Sequence, residues 1–173
     1  MEKIIVITPD VLAPANRRLL NYVIDRFVCA ALTIGLAGAG NYIYKAYGYD
    51  GLAMGTDFLN FELSDYNNLK FNVFALVIQI IYYGLFESLT ARTPGKYITG
   101  TKVIYQDGTH PAEGSIFIRT LCRQIPFEAF SFLGILPVGW HDRFSKTLVV
   151  DVNAFEKKQR ENAVEQDINS NND

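Results

Sequence analysis

The stretch "RRLLNYVIDRFVCAALTIGLAGAG", Arg17 to Gly40, decides how the chain is read. From Leu19 to Gly40 it is apolar for roughly 20 residues, enough to cross a bilayer as a helix. Yet Asp25 and Arg26 sit well inside it. An ionised side chain at mid-membrane costs roughly 2.5–3.5 kcal/mol on insertion scales, so it must face protein or water, or be neutralised. Each helical residue turns by about 100°, which puts Arg18, Tyr22, Asp25 and Cys29 on nearly one stripe. Arg18 and Asp25 are separated by about 10 Å of rise, so Tyr22 or another helix has to bridge them. Arg26 lies about 100° round from Asp25, off that stripe. Two readings of the charges stand side by side: a structural ion pair near the interface with Arg26 snorkelling, and a cation or proton site.

Working outward, residues 1–15 predict a strand at "KIIVIT" (3–8) and a lead-in punctuated by Pro14 and Asn16. The opening lacks the form of a secretory leader, so the first apolar segment is expected to stay as an anchor. Residues 41–69 read as a polar connection. It holds Asp50, Asp57, Glu62 and Asp65 against Lys45, and Tyr42, Tyr44, Tyr47 and Tyr49 suit a membrane interface. A second span runs from about 70 to 90, "KFNVFALVIQIIYYGLFESLT", with Glu87 near its end. Arg17, Arg18, Arg92 and Lys96 flank the two spans, so the charge rule places both termini in the cytoplasm and 41–69 outside.

After the second span, "KYITGTKVIYQDGTHPAEG" alternates in strand fashion and turns at "QDG". Pro94-Gly95 reads as a turn, since the glycine spacing of a phosphate loop is missing. With a strand at 146–152 and "KIIVIT", this segment predicts a small cytoplasmic β element. Between the strands, residues 114–137 read as an interfacial or re-entrant helix pair. Arg119 and Arg123 share one face of the first helix, and Pro126 breaks it. The fold class is therefore a mainly α membrane protein: two transmembrane helices, the interfacial or re-entrant pair and the small sheet. The tail, 156–173, is polar and expected to be disordered.

Composition narrows the function classes. The net charge of −2 over 173 residues argues against a nucleic-acid partner. Mean hydropathy is only +0.08 because polar residues gather in the loops and tail. Cys29 and Cys122 have neither metal nor redox spacing and suit packing. No metal site and no cofactor is expected. His110 and His141 come without a nucleophile, paired base or ligand spacing, so an enzyme is not expected.

"RRLLNYVID", "RTPGKYITGTKVIYQDG" and "HDRFSKTLVV", in that order, resemble the RDD family of small bacterial membrane proteins over about residues 12–152. The resemblance maps the family's arginine and two aspartates to Arg18, Asp25 and Asp142, with Arg17 as a substitute for Arg18. Glu87, Gly95 and Lys96 match its "E…TPGK" region. It implies a multi-pass protein of the bacterial inner membrane, with ligand transport, sodium/proton antiport included, as the family's proposed activity. On that reading Asp25 exchanges a proton for a monovalent cation, Arg18 tunes it and Asp142 adds a second carboxylate. Arg17, Tyr22, Arg26, Glu87 and Lys96 support the site. Two spans do not enclose a pathway, so a homo-oligomer or another membrane protein is implied beside the lipid bilayer. The alternative is a non-enzymatic assembly or scaffold module in which Arg18, Asp25 and Asp142 form a structural lock.

Overall fold

The computed structural model describes residues 9–48, 66–125, 128, 131 and 138–170. The strand expected at 3–8, the middle of the acidic connection and most of 126–137 lie outside them. Among the described residues, two helices are long and apolar enough to cross a bilayer. Helix α1 spans Ala15–Tyr47 and helix α2 spans Tyr66–Thr90. At 1.5 Å per residue they reach about 50 and about 37 Å, more than a ~30 Å hydrocarbon core requires. Helix α1 outruns the expected span of 19–40 because nothing breaks it before Gly48, whose φ of +73° ends it.

The chain forms two compact units, residues 1–24 with 83–173 and residues 25–82. The second unit holds most of α1 and of α2. Its apolar side chains point outward: Phe27, Leu32, Ile34, Val73, Val77 and Ile81 are all exposed. In water such a surface would associate, whereas lipid tails cover it without penalty.

The first unit is built around a two-stranded antiparallel sheet. Helix α3 (Pro94–Thr99) leads into β1 (Thr101–Tyr105). Helix α4 (Glu113–Cys122) and helix α5 (Trp140–Ser145) follow, then β2 (Thr147–Asp151) and helix α6 (Val152–Ser170). The register pairs Thr101 with Asp151 and Tyr105 with Thr147. Ahead of α1, Leu12 bridges to Val150, and the Ala13 N–H donates to the Val149 carbonyl at 2.9 Å. Val11, Ile104, Val150 and Phe155 form one buried apolar cluster, and Ala13, Ala91, Val103 and Val149 a second.

Two expectations change. Residues 94–99 form a helix rather than a turn and strand. Thr93 caps it through its side chain, Pro94 opens it and Gly100 closes it at φ +67°, so the alternation of "KYIT" gives way to end signals. The "HDRF" segment lies in α5, whose first free N–H, at Gly139, donates to the Asp142 carboxylate at 3.0 Å. Residues 156–170, expected to be disordered, continue α6. Asp151 accepts from the N–H groups of Asn153 and Ala154 at 3.0 and 3.1 Å, and Phe155 anchors the first turn in the core. Arg160–Glu156 and Lys157–Glu161 pairs one turn apart support the turns that follow.

Candidate functional site: a buried ionic cluster

Glu87 and Asp142 are both fully buried, one near the end of α2 and the other in the first turn of α5. A buried carboxylate is sustainable only when paired and hydrogen-bonded. Arg119, also fully buried, ties the two together from α4. Its Nη1 donates to Asp142 Oδ1 at 2.6 Å and its Nε to Glu87 Oε2 at 3.2 Å. Nη1 also donates to Thr147 Oγ1 at the start of β2.

Further cations close on each carboxylate. Arg18, near the start of α1, donates from Nη2 to Asp142 Oδ2. Lys96 of α3 and Arg123 both donate to Glu87 Oε1, Arg123 at 2.6 Å. The Arg123 guanidinium also stacks 4.3 Å from the Tyr83 ring centroid, a cation–π contact. The first unit thus holds four of its elements, and the start of α1, by charged contacts spanning 9 to 124 residues of sequence.

His141 extends the cluster. Its Nδ1 faces Glu128, while Nε2 lies 3.2 Å from Asp142 Oδ1 and 3.4 Å from Arg18 Nη2. Gly139 makes room for this pair, since a Cβ there would sit 2.9 Å from His141 Cε1 and 3.1 Å from Glu128 Oε1. Burial pushes the Asp142 carboxyl up, but Arg18, His141 and Arg119 outweigh it and hold the group well below the usual carboxylate range. Glu128 follows the same pattern: burial raises it, and the His141 hydrogen bond and charge, with Arg123, bring it below its ordinary value.

The residues singled out from the sequence divide between the units. Arg18, Asp142, Glu87 and Lys96 meet in the cluster. Arg17 pairs instead with Asp151 at the end of β2, so it does not replace Arg18. Tyr22 is part-buried in the first unit. Asp25 and Arg26 belong to the second unit. There the buried Asp25 accepts a hydrogen bond from the Tyr82 hydroxyl at 2.8 Å, and Arg26 donates to Gln79 Oε1.

A match to the RDD family model covers residues 12–146, more than three quarters of the 173-residue chain. The chain belongs to the RDD family. It is a membrane protein of that family, with two apolar helices long enough to span. No curated protein and no solved structure matches it.

Sequence reading missed Arg119, Arg123, Glu128 and His141 as members of the cluster. The signal was available for the first two. Arg119 in a ten-residue helix and Arg123 at its C-cap, four apart, with Phe117, Ile118 and Leu121 on the other faces, suggest either a wet or a buried polar stripe. The helix is inside-out: Arg119 and Thr120 are buried, while Phe117, Ile118 and Leu121 are exposed. That orientation suits a helix whose outer face meets lipid.

Proposed function

We propose that this RDD-family chain is a non-enzymatic membrane assembly module whose ionic cluster is a structural clamp. The observation that supports it is the occupancy of the two buried carboxylates. Asp142 already holds two guanidinium groups and a backbone N–H, and Glu87 holds three cationic side chains. A carboxylate so saturated offers no coordination to an incoming cation. What it does supply is register: removing one partner of a buried pair costs roughly 3–5 kcal/mol, because the other charge is stranded. The clamp joins the chain's first helix to segments over a hundred residues later, and leaves the long helices free to present apolar faces to lipid and to a homo-oligomeric or other membrane partner.

The second reading is a cation/proton transport or antiport component, and it rests on Asp25. This carboxylate is buried in a membrane-crossing segment and hydrogen-bonded to Tyr82, the chemistry a proton-exchanging group needs. Both readings place the protein in the bacterial inner membrane with both termini in the cytoplasm, on the strength of Arg17, Arg18, Arg92 and Lys96.

Dye-monitored cation/proton exchange in proteoliposomes, with folding checked in parallel, separates them. The clamp reading expects no exchange from wild type and a fall in membrane abundance for Asp142→Asn whatever ions are present. Exchange by wild type that is lost in an equally folded Asp25→Asn establishes the transport reading and sinks the clamp as the main role.

A further inference from the structure

In helix α6, Phe155 turns into the core while Glu156, Lys157 and Arg160 are exposed, the polarity of a helix in water. The short helices that hold the ionic cluster have the reverse polarity. In α5, His141, Asp142 and Ser145 are buried, whereas Trp140 and Phe144, one turn apart, are exposed. In α3, Lys96 is buried next to exposed Tyr97 and Ile98. In α4, Arg119 and Thr120 are inside with Ile116, and Phe117 and Ile118 are outside. One unit therefore combines a part of ordinary polarity with a part turned inside out.

Large apolar side chains exposed on three helices tied to one cluster mark an interaction face, unlike apolar residues scattered singly. Phe144 is 65% exposed and Ile98 70%. The same unit contains the ends of both spanning helices, and these carry the same inversion. Asn21 and Glu87 are buried there, and Leu20 and Leu89 are exposed. Both helices have the length and composition to cross a bilayer, so their outward side chains meet lipid. Helices α3, α4 and α5 continue that pattern. Their polar rim also suits a membrane boundary, where Trp and Tyr collect and long cations reach the headgroups. Trp140 and Tyr97 are exposed, as are Arg143 and Lys146, and the Arg92 guanidinium stands 5.4 Å from the Tyr97 ring centroid.

We propose that the outer faces of α3, α4 and α5 form a lipid-binding surface that sits in one leaflet, so that the ionic cluster beneath it lies below the headgroups. The sheet and α6 stay in the aqueous phase. The surface reaches beyond the interfacial pair expected at 114–137, since it takes in α3 and α5. Acyl chains cover apolar side chains without penalty, so no further protein is needed to occupy it. The surface stands whether the cluster clamps the fold or exchanges ions, because it depends on the outer faces and not on the contacts inside.

Trp140 is the chain's single tryptophan, so its fluorescence reports on this surface without any substitution. The test uses the full chain in phosphatidylcholine vesicles with two quenchers, bromine on the lipid acyl chains and iodide in the water. Trp140 should lose most of its emission to the brominated lipid and little to iodide. Trp140→Phe combined with Phe144→Trp moves the reporter one turn along the same face and should give the same result. Trp140→Phe combined with Glu156→Trp moves it to α6 and should give the opposite one. Iodide quenching of Trp140 as strong as at position 156 overturns the surface and places α5 in water. Protection of positions 140 and 144 from both quenchers also overturns it, and assigns the face to a second copy or another protein. Lipid quenching at position 156 equal to that at 140 removes the division between the two parts. If a variant fails to fold, wild-type Trp140 still decides between lipid, water and protein.

Discussion

The two units solve the same problem, charge away from water, in opposite ways. In the first, three carboxylates and four cations from five helices and the stretch carrying Arg123 and Glu128 satisfy one another, and the fold is organised around their contacts. In the second, Asp25 is the only buried carboxylate among the described residues. Asp25 and Arg26 meet Tyr82 and Gln79 across one helix pair that also exposes Phe27, Leu32, Val73 and Ile81. Dense networks tolerate burial because each member neutralises several others, and they fail sharply when one is removed. Isolated polar contacts between spanning helices are weaker and more replaceable, averaging about 0.6 kcal/mol. The contrast locates rigidity in the first unit and adjustability in the second.

The largest expected effect comes from the carboxylate with the most partners. Glu87→Gln removes the carboxylate charge that Lys96, Arg119 and Arg123 share, and should destabilise by roughly 3–5 kcal/mol, read as lost membrane abundance and early unfolding in detergent. A variant as stable as wild type would erase the difference between the units. Acid titration comes next. Asp142 and Glu128 have lowered folded-state values, so their stabilisation is fully present above the unfolded value of about 4 and is lost as pH falls through the folded ones. Melting temperature should therefore drop steeply below about pH 4, and less steeply in Glu128→Gln. Equal slopes would remove Glu128 from the account.

Smaller effects sharpen the other side. Tyr82→Phe removes one donor to Asp25 and should cost about 0.5–1.5 kcal/mol, well under the loss from Glu87→Gln. A loss as large as that from Glu87→Gln would make the second unit as brittle as the first. Thr93→Ala removes the side-chain cap of α3 and should cost about 0.5–1 kcal/mol, without altering the response to acid.

Much of this was legible in the sequence, for reasons tied to particular residues. Hydropathy locates α1 and α2 because a spanning helix needs a continuous apolar run, and the strand expected at 146–152 from "KTLVVDV" is β2, Thr147–Asp151. Arg18 and Asp142 were named through a family resemblance rather than by any local pattern. Their contact joins residues 124 apart, and no periodicity encodes it. Arg119 was misplaced because an arginine in an amphipathic helix reads by default as facing water or the interface, and only the fold shows that its face is filled by Glu87 and Asp142. The tail was read from composition alone, which misses a helix started by Asp151 and pinned by Phe155.

The clamp is tested most directly by a double-mutant cycle between Arg18 and Asp142, with Arg18→Gln, Asp142→Asn and both together unfolded in detergent. The account predicts strong coupling, the double variant being less destabilised than the sum of the singles by roughly 1–3 kcal/mol. Additivity to within about 0.3–0.5 kcal/mol would contradict it, since residues locked together cannot lose their partners independently.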